Sequence, residues 1–115
     1  MNMKKEMTKG SSSLLVLSVL ENKEMYGYQI VKEIEKRSEM VFSLKEGTLY
    51  PILHAFEKEG YVTSYWTESA EGRKRKYYKI TKKGLKELRS GKAEWKSYSE
   101  AVKKVVAGGV AHATA

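Results

Sequence analysis

The chain reads as a mainly α domain that carries one small β-hairpin (α+β). Three observations predict this architecture. Apolar residues recur at helical spacing in three successive segments before residue 60. Two alternating stretches, YVTSYWT and RKRKYYKI, flank the short glycine-containing link ESAEG, as the strands of a hairpin do. In the last segment Leu88, Gly91, Trp95, Tyr98, Val102 and Val105 step by 3, 4, 3, 4 and 3, the period of a coiled-coil seam.

At 115 residues the chain suits one domain, or one domain with an arm, and 41% hydrophobic content allows a small core. No apolar run approaches the roughly 20 residues that span a membrane. The stretch Leu14–Leu20 follows a basic start, as in a secretion signal. It contains a serine, however, and acidic Glu21 and Glu24 follow where a signal would carry small residues. It reads as a core helix of a cytoplasmic protein. With no cysteine, disulfides and thiolate metal sites are excluded, which fits a reducing compartment.

Residues 1–10 are polar and basic and predict a flexible arm. Ser11, Ser12 and Ser13 offer N-caps to a helix that runs to about Asn22. Leu14, Leu15, Val16, Leu17, Val19 and Leu20 make it apolar nearly all round, so it needs cover on more than one side. In so small a domain that points to a second subunit. The next helix is expected over Tyr26–Ser38, with Tyr26, Ile30 and Ile34 in a stripe widened by Val31. Gly27 in its first turn would let another helix approach closely, or marks where the helix starts. Met40, Val41 and Phe42 predict a short extended link.

The third helix is expected from Lys45–Gly47 to Gly60. Leu49, Leu53 and Phe56 fall at i, i+4 and i+7, with Ile52 alongside. Pro51 offers no N–H to the carbonyl of Gly47, so Gly47 must belong to the first turn. Gly60 suits a C-cap. In the hairpin Val62, Ser64 and Trp66 share one face; Tyr78 and Ile80 face the core, and Arg75, Tyr77 and Lys79 face out. Thr81 caps a helix to Ala107, about 40 Å long at 1.5 Å per residue. This domain cannot cover such a helix with its own chain, whereas a two-fold partner can. The expected division is an arm at 1–10, a compact domain at 11–80, a dimerisation helix at 81–107 and a disordered tail at 108–115, in which His112 is inert.

Two features carry the functional reading. Thr48, Tyr50, Pro51, His54 and Lys58 lie off the apolar stripe of the third helix and can donate hydrogen bonds, stack and offer positive charge. The net charge of +8 comes from 22 basic and 14 acidic residues, and seven of the basic ones lie between Arg73 and Lys83 with no acidic residue among them. Elsewhere 15 basic residues face 14 acidic ones. A basic stretch so focused points to a polyanion, nucleic acid first and anionic lipid second. A membrane partner is not expected. The element order matches a winged helix-turn-helix with an appended dimerisation helix. In that fold the second helix of the motif enters the DNA major groove and the hairpin grips the flanking backbone.

The segments YGYQI (Tyr26–Ile30), EGTLYPIL (Glu46–Leu53), FEKEGYV (Phe56–Val62), SYW (Ser64–Trp66) and GRKRKYYKIT with KKG after it (Gly72–Gly84) resemble the PadR family of transcriptional regulators, of the short class with one C-terminal helix. The similarity covers roughly residues 12–100. It implies a homodimeric repressor, paired through the C-terminal and first helices, that binds a pseudo-palindromic operator in double-stranded DNA and is released by a small molecule. It places Thr48, Tyr50 and Pro51 at the DNA surface beside Lys45, His54 and Lys58, and Gly72, Arg73, Lys74 and Arg75 in the wing. Gly47, Leu49, Leu53 and Tyr78 match the motif as structural residues. The stretch EWKSYSEAV also resembles the multidrug-binding branch of the family, in which a tryptophan on the last helix meets its two-fold mate around flat aromatic drugs. Trp95, with Gly91 and Tyr98, would then hold a small aromatic or phenolic effector, lined also by Leu14, Val16 and Ser18. Alternatively Trp95 is a large dimer-core residue.

An enzyme is not expected. His54 and His112 are the only histidines, and no nucleophile, oxyanion site, phosphate-binding glycine loop or metal-ligand cluster accompanies them. No catalytic residue, metal or cofactor is assigned. The rival reading is a winged-helix protein-interaction module whose basic wing binds an acidic partner.

Overall fold

The computed structural model describes residues 2–108. The elements are α1 (Met3–Val19), β1 (Met25–Tyr26), α2 (Gly27–Arg37), α3 (Glu46–Glu59), β2 (Val62–Glu68), β3 (Lys74–Ile80) and α4 (Lys82–Val106). The strands form one antiparallel sheet in the order β1-β3-β2. Val16, Leu20, Ile30, Leu49, Leu53, Val62 and Leu88 are the largest fully buried side chains, so α1, α2, α3, the sheet and the start of α4 share one core. The molecule is elongated, 67 × 29 × 22 Å.

Helix α1 departs from expectation at its start. It begins at Met3, so most of the expected arm is its first two turns, and the serines lie inside it. Ser11 bonds backwards, its hydroxyl donating to the Met7 carbonyl at 2.9 Å, as further along Ser18 does to the Leu14 carbonyl at 2.6 Å. A hydroxyl that finds a carbonyl one turn back no longer caps. The expected tail lies outside the described residues, Gly108 excepted, and so does His112.

Strand β1 is an addition to the hairpin. Met25 and Tyr26 pair with Tyr78 and Tyr77 of β3, and Tyr26 is also the N-cap of α2. Its backbone N–H donates to Gln29 Oε1 at 3.2 Å. Two residues are too few for alternation to reveal a strand.

Between α2 and α3 the extended link is absent. Glu39 and Met40 adopt left-handed backbone, with φ of 50° and 68°, at a cost of roughly 1–2 kcal/mol each for residues with a Cβ. Met40 and Val41 are exposed, and only Phe42 packs against the core. The turn is held by the Met40 N–H on the Glu35 carbonyl (2.8 Å) and the Phe42 N–H on the Ser38 hydroxyl (3.0 Å). The Glu35 carboxylate accepts from the Ser43 hydroxyl at 2.6 Å and from Lys32 at 3.3 Å. The Ser43 bond, ahead of the Lys32 contact, holds that carboxyl below its ordinary value.

Helix α3 ends as the sequence predicts. Gly60 sits at φ 80°, Gly60 N–H reaches the Glu57 carbonyl, and Tyr61 N–H reaches Phe56. The start of α4 is locked to this end. Thr81 donates to the Gly60 carbonyl at 2.7 Å and accepts from the Gly84 N–H at 3.0 Å; Lys83 donates to the Glu59 carbonyl at 2.7 Å. A Cβ on Gly84 would collide with the Tyr61 carbonyl oxygen, so a glycine is needed for this approach. Beyond Leu88, α4 leaves the core, and Trp95, Tyr98, Val102, Val105 and Val106 are exposed. No helix among the described residues is long and apolar enough to cross a membrane.

Candidate nucleic-acid interface

Burial of Leu49, Leu53 and Phe56 fixes the rotation of α3. Residues at the intervening positions must then point away from the core. Lys45, Thr48, Tyr50, Pro51, His54 and Lys58 are all exposed, which places the six expected residues on or beside one outer face. Tyr50 does not stand alone there. Its phenol rests on Gly27 of α2, where any Cβ would collide with the hydroxyl. The glycine thus admits the ring of the neighbouring helix, whose hydroxyl end packs on α2.

The hairpin rises beside α3. Its tip closes through the Ser69 N–H on the Arg73 carbonyl (2.8 Å) and the Arg73 N–H on the Ser69 hydroxyl (3.1 Å), with Gly72 at φ 79°. The three expected basic residues separate into two kinds. Arg73 and Lys74 are exposed at the tip, whereas Arg75 is half-buried, its guanidinium 4.6 Å from the centre of the Tyr26 ring. Tyr26 meets Tyr77 edge-on at 5.3 Å, and Tyr77 stacks on Tyr65 at 5.6 Å. The Tyr65 hydroxyl donates to Glu24, which raises the pKa of that phenol. One sheet face is therefore a ladder of rings tying the hairpin to the start of α2.

The opposite sheet face is tied to α3. Glu57 accepts from the Ser64 hydroxyl of β2 at 2.6 Å and pairs with Lys76 of β3 at 3.2 Å. The Ser64 hydrogen bond chiefly, then Lys76 and the nearby His54, keep the Glu57 carboxyl below its ordinary value despite partial burial. Helix α3 and the hairpin are thus joined by one carboxylate. The sequence gives Glu57, Ser64 and Lys76 no joining role, because a contact between a helix and two strands has no spacing signature.

The sequence pattern of the transcriptional regulator PadR-like family matches residues 16–90, which span all of this geometry. The chain belongs to that family. An uncharacterised protein of Lysinibacillus sphaericus is 33% identical over 97 residues, covering 84% of this chain and 89% of that relative. Solved structures are similar as well. A transcriptional regulator from Clostridium thermocellum superposes with a TM-score of 0.79 at 32% identity, covering 86% of this chain and 96% of the other. A PadR family regulator from Clostridium difficile gives 0.72 at 37% identity, covering 84% and 99%. This PadR-like protein is accordingly a DNA-binding transcriptional regulator with a winged-helix fold, and not an enzyme.

A second feature of the PadR-like chain is an open groove of about 890 Å³ between α1 and α4. Leu14, Gly91, Trp95 and Tyr98, the residues expected to meet an effector, are among those that line it. Val16 and Ser18 do not. Val16 is fully buried in the core, and Ser18 is turned to its own helix through the Leu14 carbonyl. Met7, Leu17, Phe42 and Phe56 line the groove instead. Met7, Gly10, Leu14 and Leu17 step by 3, 4 and 3, a seam that runs from the segment expected as an arm into the apolar part of α1. A Cβ on Gly91 would stand 3.2 Å from Leu14, so the two helices approach closely there. Trp95 and Tyr98 lie 6.1 Å apart at a tilt of 32°, both at least half exposed.

Proposed function

We propose that the protein is a cytoplasmic homodimeric repressor that reads a pseudo-palindromic operator. Helix α3 enters the major groove through Thr48, Tyr50, Pro51 and His54, with Lys45 and Lys58 at its edges. Arg73 and Lys74 hold the flanking phosphates, and Arg75 braces the wing against Tyr26. The observation that carries the reading is the joining of α3 to the hairpin through Glu57, so that an exposed helix face and a basic tip belong to one surface. Phosphate contacts fix the position of such a surface, and base contacts supply the sequence preference.

Pairing of α4 and α1 with a second copy covers the exposed seam from Trp95 to Val106. The two recognition helices then need a separation of about 34–36 Å to meet successive major grooves. The groove between α1 and α4 takes a small planar aromatic or phenolic effector beside Trp95, as in the multidrug-binding branch of the family. Such a ligand releases DNA only if it binds the two helix spacings with different affinity.

The test is fluorescence anisotropy against DNA from upstream of the protein's own gene, beside a scrambled duplex, over a series of salt concentrations. Tighter binding to the upstream duplex that survives added salt supports the operator reading. Equal binding that fades steeply with salt reflects phosphate attraction alone and favours a wing that binds an acidic protein partner. For the effector, Trp95→Ala should weaken binding of planar aromatic compounds. Unchanged affinity for all of them removes the aromatic slot.

A further inference from the structure

Trp66 is the largest exposed side chain on the hairpin, with 65% of its surface in solvent. Its position is defined by the sheet. Along β2 the residues Val62, Ser64 and Trp66 share one face by alternation, and they pass from buried to half-buried to exposed. Ser64 on that face bonds Glu57 of α3, so the indole lies on the α3 side of the hairpin, one pair further toward the tip. Directly across the ladder stands Lys76, its ammonium 6.0 Å from the indole centre and 3.2 Å from Glu57. Glu68 and Lys74 form the next pair on the same face.

The core ends at Ser64, and among the described residues the contact recorded for the indole is the Lys76 ammonium, which leaves most of the ring in solvent. An exposed indole beside lysines suits a surface that alternates anionic and apolar patches. The edge of a DNA groove is such a surface, because phosphates alternate with deoxyribose faces, and proteins press apolar side chains into minor grooves in this way. The geometry points to Trp66 as a further DNA-contacting residue, packed on the sugars that flank the site read by α3, on the hairpin face that Glu57 ties to that helix. This rests on the DNA-binding role proposed above and adds a contact that carries no charge. Glu57 is a positioning residue, since it acts through Lys76 and the sheet.

The experiment uses the full chain labelled with 5-fluorotryptophan, whose two fluorine resonances are assigned with Trp66→Phe. A mixed-sequence duplex is added at low salt until anisotropy saturates. The Trp66 resonance should shift, and Trp66→Ala should weaken duplex binding about tenfold, the order of one good groove contact. The slope of affinity against salt should stay as in the wild type, because no counterion-releasing cation is lost. A Trp66 resonance that stays in place at saturation overturns the assignment, as does wild-type affinity in Trp66→Ala. A resonance that moves with protein concentration before DNA is added means that a second copy covers the indole, and also overturns it. A flat anisotropy on every duplex refutes the DNA reading itself, a different failure from a silent fluorine signal.

Discussion

Gly27→Ala should separate stability from DNA recognition. The new methyl carbon would collide with the Tyr50 hydroxyl and stand 3.0 Å from Tyr50 Cζ, against about 3.5–4.0 Å for an unstrained carbon pair. The ring must therefore withdraw by about 1 Å or swing to another rotamer. It can do so, since Tyr50 is 44% exposed and the obstacle is the far end of a side chain. Overpacking costs about 1–3 kcal/mol where nothing can move, and here the neighbour can. Alanine also gains up to about 1 kcal/mol over glycine in a helix. The two effects nearly cancel, so the melting temperature should stay within about 5 °C of the wild type. DNA binding should not be spared. Losing a placed groove contact costs about 1–3 kcal/mol, roughly a tenfold or greater loss of operator affinity, with the salt slope unchanged. Paired melting curves and anisotropy titrations read both quantities. Wild-type operator affinity in Gly27→Ala would falsify a role for the Gly27–Tyr50 contact in DNA binding, and a collapse of stability would show that the contact belongs to the core.

Three further outcomes are expected. Gly84→Ala meets backbone, not a movable ring, at the Tyr61 carbonyl; it should lose about 1–3 kcal/mol of stability in denaturant titration, and an unaltered midpoint would disprove the close approach of α4 to the link between α3 and β2. Glu57 has a lowered pKa in the folded protein, so its bonds to Ser64 and Lys76 contribute fully above about pH 4.5 and are lost as pH falls through its lower folded value. Melting temperature should accordingly fall more steeply below pH 4.5 in the wild type than in Glu57→Gln, and parallel profiles would show that Glu57 does not strap the wing. Arg73→Ala and Lys74→Ala should each reduce the salt slope of DNA binding by about 1 without changing stability, whereas Arg75→Ala should also cost about 0.5–1 kcal/mol of stability by baring Tyr26; identical behaviour of all three would contradict the division of the wing's cations.

Much of α3 was legible because its determinants are local. A helical stripe from Leu49 to Phe56, a proline tolerated only near the start and a glycine able to adopt left-handed backbone define its ends and its two faces within one segment. The hairpin and the capped start of α4 follow from the same kind of short-range signal. Misreadings arose where the deciding partner is distant. Met25–Tyr26 is a strand only because β3 offers an edge, and the serines of α1 do not cap because the helix already runs past them. The link after α2 is left-handed because Glu35 and Ser38 capture it.

The sequence by itself determined a small basic domain, three helices before a hairpin, a long amphipathic helix after it, and the set of exposed groups available to meet DNA. These follow from periodicity, capping and charge, each set by neighbours within a few residues. Only the tertiary structure decided which groups act together. It laid Tyr50 on Gly27, joined α3 to the wing through Glu57, drew Arg75 onto Tyr26 and left Trp66 beyond the core. It also turned Leu14 and Leu17 to the groove while burying Val16. A helix that is apolar nearly all round carries no mark of which side meets which neighbour. That choice is made when several elements compete for one core, and it is a property of their packing rather than of any segment.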